Sequence, residues 1–315
     1  AARSVLCTCN YIARQYGVRS AMSTKRALQL CPHLTIVHGR MSVYQGVSEQ
    51  IRSIFLQYTD IVEPLSLDEA FLDVTHSLEC GGSATLIAEK IRQQIFDELQ
   101  LTASAGVAPN KFLAKIASDE NKPNGQYVIA PNDVVSFVDQ LPLKKIPGIG
   151  PKTAGKLKNK GFETCQDIRE SNVTELQIIV GKFANALYQR SFGEDNRSLE
   201  VSRQCKSLAI ETTLAEDLNN EDECLAVVMQ LFPKLEERLI KHHQRKIVRQ
   251  GVKLKFADFN QTTVEQQSVS CDQETFKKLL SKAVKRSNNR KVRLVGLTIG
   301  FANNEAVSKQ LDLFS

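Results

Sequence analysis

The chain has 315 residues, enough for two or three domains, and its 42% hydrophobic content is that of an ordinary globular protein. No apolar run approaches the length of a bilayer span and no basic-then-apolar leader opens the sequence, so a cytoplasmic protein with no membrane partner is expected. The net charge of +6 is unevenly spread: 12 Lys and Arg meet 14 Asp and Glu in residues 1–140, against 9 and 6 in 141–196 and 20 and 15 in 197–315. An acidic front with two basic modules behind it suits a catalytic region followed by segments that hold a polyanion, although chance variation in a mildly basic protein leaves a similar pattern. The eight cysteines (Cys7, Cys9, Cys31, Cys80, Cys165, Cys205, Cys224 and Cys271) are scattered without a Cys-x-x-Cys pair. That spacing argues against a zinc site or a disulfide framework and for reduced thiols.

In chain order, Ala1 to Thr8 reads as a strand already under way, with no initiator Met. Tyr11 and Arg14 follow, three apart, so one helical face can carry both. A guanidinium beside a hydroxyl suits a triphosphate, and a plain surface arginine reads the same way. Ser23 to Cys31 predicts a short capped helix ended by Pro32. Met41 to Tyr58 predicts a long amphipathic helix, with Val43, Val47, Ile51, Ile54, Phe55 and Tyr58 at spacings of three and four.

Ile61 to Thr75, Ile-Val-Glu-Pro-Leu-Ser-Leu-Asp-Glu-Ala-Phe-Leu-Asp-Val-Thr, predicts a β-hairpin whose turn region holds Asp68 and Glu69. Neighbouring residues on a regular strand face opposite ways, so two adjacent acids can serve one site only at a strand end or turn. Carboxylate oxygens are ligands that Mg²⁺ prefers, and a pair of Mg²⁺ ions about 4 Å apart is a common device for in-line phosphoryl transfer. On spacing alone a solvated acidic turn is the commoner reading. Ser83 caps a further helix, and Leu101 to Ala108 reads as a strand. The order helix, hairpin, helix, strand fits a split βαβ, ferredoxin-like sheet. Phe112 to Ser118 then reads as a helix, and Lys122-Pro-Asn-Gly as a turn whose ammonium could meet phosphate.

From Leu141, Pro-Gly-Ile-Gly-Pro-Lys predicts a tight turn and a helix start. Gly148 and Gly150 would let backbone approach a ligand, and Lys152 adds charge. This is the helix-hairpin-helix signature, which grips a DNA phosphate without reading sequence. Gly193 to Ser198 reads as the start of a tether leading to about Lys206. Beyond it strand, helix, strand, helix, strand is expected. Arg249 to Phe256 alternates so that Val252, Leu254 and Phe256 face in, while Lys253 and Lys255 face out towards duplex phosphates. The tail Gln310-Leu311-Asp312-Leu313-Phe314-Ser315 carries apolar residues that need a partner or their own domain to cover them.

Ser-Leu-Asp-Glu-Ala-Phe-Leu-Asp around Asp68 resembles the second catalytic motif of the Y-family (translesion) DNA polymerases. Asn-Tyr-x-Ala-Arg-x-x-Gly-Val resembles the family's fingers motif, and Ala-x-Asn-Lys-Phe-Leu-Ala-Lys to Lys-Pro-Asn-Gly its later palm motif. Gln-Leu-x-Leu-Phe resembles the bacterial sliding-clamp binding peptide. The resemblance implies an α+β, multidomain right-hand polymerase. Its parts would be fingers at 1–40, a ferredoxin-like palm at 41–130, a helix-hairpin-helix thumb at 131–195, a linker at 196–205, an α/β little finger at 206–303 and a clamp-binding tail at 304–315. Asp68 and Glu69 would be catalytic and would hold two Mg²⁺ ions. Thr8, Tyr11, Arg14 and Lys122 would position the deoxynucleoside triphosphate. Gly148, Gly150, Lys152, Lys253 and Lys255 would meet primer-template DNA, and Gln310, Leu311, Leu313 and Phe314 a sliding clamp. A monomer without proofreading is implied. The family's first strand, with its Asp-x-Asp motif, is not found in this sequence, so the polypeptide as given is expected to be nearly inactive. The competing readings are a non-catalytic DNA- and clamp-binding scaffold and a helix-hairpin-helix repair nuclease.

Overall fold

Two units make up the chain in the computed structural model, which describes residues 3–202 and 204–303. One unit holds the residues up to Val37 and those from Gln204 onward, and the other begins at His38. Residues 3–10 form no strand, contrary to the reading of the sequence. Val5 makes one isolated bridge to Ser23, the Leu6 N–H donates to Met22 O at 2.9 Å, and the Ala21 N–H donates to Leu6 O at 2.8 Å. A single bridged pair supplies too few ladder bonds for a strand. Helix α1 (Tyr11–Gln15) starts where Asn10 Oδ1 accepts from the Ala13 N–H, and α2 (Thr24–Leu30) where Ser23 Oγ accepts from the Arg26 N–H. Ala13, Val18, Ala27 and Cys31 form the small core beneath them.

The second unit begins with α3 (Met41–Phe55), β1 (Val62–Pro64), β2 (Ala70–Leu72), α4 (Ala84–Leu99) and β3 (Ala105–Val107), the order read from the sequence. Strands β1 and β2 are antiparallel, with Val62 opposite Leu72 and Pro64 opposite Ala70. Helix α5 (Lys111–Glu120) leads to β4 (Gln126–Val128), which pairs in parallel with β3 as a separate ladder. Helix α5 lies so close to β3 that a Cβ at Gly106 would run into Ala114 O and the Ser118 N. The apolar stripe of α3 is buried only towards its end. Ile54 packs with Tyr58, Ile87, Ile91 and Ile95, while Val43 is exposed.

The remainder of this unit is helical: α6 (Val134–Asp139), α7 (Pro151–Lys158), α8 (Cys165–Arg169), α9 (Val173–Val180) and α10 (Ala184–Ser191). Phe112, Leu113 and Ile116 of α5 share one core with Leu143, Ile146, Leu157, Ile168 and Leu187. The start of the segment read as a tether is anchored to α5 and β1. Asn110 Nδ2 donates to Gly193 O at 2.7 Å, Lys111 Nζ donates to Ser198 O at 2.8 Å, and the Glu200 N–H donates to Glu63 Oε2 at 3.0 Å. Polarity in the sequence gave no sign of these buried anchors.

In the first unit, β5 (Ser207–Leu218), α11 (Glu221–Ile240), β6 (Ile247–Phe256), β7 (Gln261–Gln267), α12 (Gln273–Lys285) and β8 (Val292–Phe301) form a four-stranded antiparallel sheet in the order β5-β8-β6-β7. Both helices cover one face, and Val252, Leu254 and Phe256 point into the core they share with Leu235 and Phe276. Strand β7 is one more than the sequence reading expects. Arg3 donates to Asp217 Oδ1 at 2.5 Å and to Leu214 O at 3.2 Å, joining the two ends of this unit. Among the described residues no helix is long and apolar enough to cross a membrane.

Lys111 is 6% exposed and donates to Glu63 Oε2 at 2.7 Å. Burial pushes Glu63 up, but the hydrogen bonds from Lys111 and the Glu200 N–H, with the lysine's charge, outweigh it and hold the carboxyl below its ordinary 4.5. The folded-state value is depressed, so this contribution is full above about pH 4.5 and is lost as pH falls through the lower folded value. Glu63→Ala is expected to cost about 3 kcal/mol in urea unfolding at pH 7, because it leaves a buried lysine unpaired. Glu63→Ala with Lys111→Met should recover most of that loss, and the gap between Glu63→Ala and the parent should narrow below pH 4.

Candidate active site and nucleic-acid interface

The β1–β2 hairpin closes through Leu65 to Glu69, with the Leu65 and Ser66 N–H groups donating to Glu69 O. Ser66 Oγ donates to Asp68 Oδ1 at 2.5 Å, which fixes that carboxylate in the turn. Lys115 Nζ donates to Glu69 Oε1 at 2.6 Å. The two adjacent acids are thus both exposed at a strand end, where the backbone leaves its alternating pleat. Lys111, Lys115 and Asp119 fall at intervals of four along α5, so one stripe carries all three. Lys111 reaches Glu63, Lys115 reaches Glu69, and Asp119 Oδ1 accepts from Lys122 at 2.6 Å. Lys115 is a site residue that the sequence reading missed, although its four-residue offset from Lys111 was visible.

A cleft of ≈ 420 Å³ runs from Lys115 and Asp119 to Lys144, Lys145, Gly148 and Gly150. It joins the surroundings of Glu69 to the Pro147–Gly150 turn within one unit. Helix α7 has Gly150 as its N-cap with no side-chain cap and Pro151 in its first turn. That end keeps backbone N–H groups free of side-chain acceptors, which favours an anion. Lys152 and Lys156 are exposed beside it. Gly150 is open on its Cβ side, as a close backbone approach requires. Gly148 has a second constraint. At φ +98° it adopts a conformation that side chains resist, and a Cβ there would sit 3.2 Å from Phe183 Cζ. Its missing side chain makes room for the Phe183 ring. Behind the turn, the buried Arg190 donates to Pro147 O at 2.8 Å and lies over the rings of Phe112 and Phe183. Desolvation lowers its pKa, and the turn carbonyl it meets gave no signal in the sequence.

In the other unit, Tyr11 and Arg14 do share a face of α1, with Arg14 Cζ 5.8 Å from the Tyr11 ring centroid. Thr8 is exposed just ahead of that helix. On the sheet, Lys253 and Lys255 lie on the face without helices, as the alternation requires. Their surroundings differ. Lys253 donates to Glu211 Oε2 at 2.9 Å, and Arg249 lies 3.7 Å from Glu265, so two cations of the open face are already neutralised. Lys255 instead lies 4.9 Å from the Phe259 ring centroid. Gln310, Leu311, Leu313 and Phe314 fall outside the described residues.

Family models match in three places. The impB/mucB/samB family matches residues 1–119, the DNA polymerase-iota thumb domain residues 144–195, and the impB/mucB/samB C-terminal domain residues 205–313. The DNA polymerase IV of Colwellia psychrerythraea is 67% identical over 311 residues, 99% of this chain and 88% of that protein. The chain belongs to the Y family of DNA polymerases. The DNA polymerase IV of Pseudoalteromonas atlantica is 54% identical over 98% of this chain and 87% of its own length. Among solved structures, a Y-family chimera of Dbh and Dpo4 matches with a TM-score of 0.87 at 29% identity, covering 95% of this chain and 88% of its own. An insertion ternary complex of Dbh DNA polymerase matches with a TM-score of 0.63 at 29% identity, covering 93% and 86%.

Divalent metal dependence is general in this family. Among the described residues no group of three or more His, Cys, Asp or Glu could hold a metal ion by itself. The pair Asp68 and Glu69 nevertheless fits Mg²⁺, which is commonly bound through one or two carboxylates, with substrate phosphates and water completing its shell. Gly148→Ala is expected to destabilise the protein by about 1–2 kcal/mol in urea unfolding, through strain at positive φ and contact with Phe183.

Proposed function

We propose that this Y-family polymerase performs template-directed, low-fidelity addition of a deoxynucleotide to a primer end, with Asp68 and Glu69 as its catalytic carboxylates. The observation that carries the assignment is the placement of both acids at one exposed hairpin turn, with Glu69 held by Lys115, a residue that also lines the cleft leading to the helix-hairpin-helix turn. In the reaction the primer 3′-hydroxyl oxygen attacks the α-phosphorus, the bond to the β-phosphate oxygen breaks, pyrophosphate leaves, and the hydroxyl proton passes to solvent. Two Mg²⁺ ions held by Asp68 and Glu69 would supply Lewis-acid activation of the hydroxyl and neutralise the triphosphate. Lys115 orients Glu69 and offsets its charge beside Asp68. Thr8, Tyr11 and Arg14 offer two hydroxyls and a guanidinium to the triphosphate, and Lys122 an ammonium. The uncapped start of α7, with Gly150 and Lys152, would hold a backbone phosphate of the primer-template duplex without regard to sequence.

The tail residues Gln310, Leu311, Leu313 and Phe314 are proposed to dock on a sliding clamp. The chain is read as a cytoplasmic monomer acting on damaged DNA, with 1–40 as fingers, 41–130 as palm, 131–195 as thumb, 196–205 as linker, 206–303 as little finger and 304–315 as tail.

In the full-length protein, Asp68→Ala is expected to lower Mg²⁺-dependent primer extension by at least about 1,000-fold while DNA affinity stays within about twofold. Extension that survives the substitution would overturn the assignment. A parent protein that binds DNA but never extends would favour the scaffold reading. Removing 310–315 should leave single-nucleotide insertion intact and abolish the gain in product length that a clamp gives.

A further inference from the structure

The turn that carries Lys122 joins the end of α5 to β4. Asn121 ends the helix, and its Nδ2 donates across the turn to Gln126 O at 2.7 Å. The chain doubles back so closely that a Cβ at Gly125 would lie 1.8 Å from Asn121 O. On the far side the Ala105 N–H donates to Gly125 O at 3.0 Å, which ties the turn to β3. Lys122, Pro123 and Asn124 lie between these ties, and all three are exposed. Their support comes from a different helix. Arg92 of α4 donates from Nε to Ala103 O at 2.9 Å, and from Nη2 to Asn124 O at 2.6 Å and Asn124 Oδ1 at 3.2 Å.

Arg92 rises from a fixed base, because Ile87, Ile91 and Ile95 of the same helix are buried in one core. Its planar guanidinium joins the chain ahead of β3 to the outer point of the turn, a two-ended contact that the arginine fork suits. Asn124 has φ +49°, a conformation that glycine takes without strain and that asparagine also visits. Here the asparagine side chain adds a second acceptor for Arg92, which glycine would lack. Lys122 lies two residues before this contact, and its ammonium pairs with Asp119 Oδ1 at 2.6 Å.

We infer that Arg92 is a positioning residue for the incoming deoxynucleoside triphosphate, acting through Lys122 and touching no substrate itself. By holding the Asn124 carbonyl it fixes the backbone of Lys122 from the C-terminal side, as α5 fixes it from the N-terminal side. The ammonium then reaches a phosphate from a set origin, exchanging the Asp119 carboxylate for it. Without Arg92 the lysine keeps its charge, but its origin is no longer set. A point charge on a flexible stem loses attraction as its distance from the phosphate spreads. The loss falls on nucleotide binding and not on the grip of the duplex. The inference rests on the reading of Lys122 as a triphosphate contact.

The test is single-turnover insertion of one deoxynucleotide by the full-length protein on a primer-template duplex, with the deoxynucleotide concentration varied. Arg92→Met should raise the half-saturating concentration about tenfold, while the maximal rate stays within about threefold and duplex affinity within about twofold. Arg92→Lys keeps the charge and can keep one of the contacts, so it should recover part of the loss. In a Lys122→Ala background, Arg92→Met should add less than about twofold, because its effect runs through the lysine already removed. A half-saturating concentration that stays at the parental value in Arg92→Met, with only the thermal midpoint lowered, would make Arg92 a structural residue and overturn the inference. Two effects that multiply in the double variant would overturn it as well. If Lys122→Ala itself leaves the half-saturating concentration unchanged, the reading of Lys122 falls and the inference falls with it.

Discussion

The stripe of Lys111, Lys115 and Asp119 along α5 is the constraint on which the rest of the second unit depends. Its opposite face, with Phe112, Leu113 and Ile116, is fixed in the core that also carries Leu143, Ile146 and Leu157. The stripe is therefore presented from a rigid support. Lys111 takes hold of the hairpin through Glu63, and Lys115 takes hold of Glu69 six residues further on. One helix thus sets the position of a strand and of a functional carboxylate. The same Lys111 ammonium and Glu63 carboxylate also bind the chain at Ser198 and Glu200. A buried pair of this sort gives little net stability over apolar replacements, but removing one partner is severe. Its value here is register: the hairpin can sit in only one way against α5.

The same economy holds at the helix-hairpin-helix turn. Gly148, Phe183 and Arg190 pack behind the turn, where the ring fills the space at the glycine's Cβ position and the guanidinium donates to Pro147 O. They shape the turn, and Gly150 and the start of α7 present it. Lysines on the surface add long-range attraction but no geometry.

Much of this was legible in the sequence because it depends on local rules. Asn10, Ser23 and Ser83 cap helices through their own side-chain oxygens, and a cap is a one-turn interaction. The Asp68–Glu69 hairpin and the alternation of Val252, Leu254 and Phe256 follow from period-two patterning. What could not be read depends on partners distant in the chain. Nothing near Lys253 announces Glu211, which lies 42 residues away, nor does anything near Arg190 announce the carbonyl of Pro147. The strand expected at residues 1–8 failed over its described part, 3–8, for the same reason: apolar character is local, but a ladder needs a neighbour. The early part of α3 carries a stripe, yet Val43 stays exposed, because periodicity specifies a face and not what covers it.

Strand β7 escaped notice because Gln261-Thr-Thr-Val-Glu-Gln-Gln has a single buried residue, Val264. That same polarity answers a difficulty the sheet would otherwise have. Strand β7 is an outer strand, so among the described residues one side of its backbone has no β partner. An apolar strand in that place would invite a second sheet to add on edge to edge. Glutamine, threonine and glutamate keep that edge hydrated and give an incoming strand no apolar surface to bury. The composition that hides the strand from pattern reading is thus what guards the sheet against self-association.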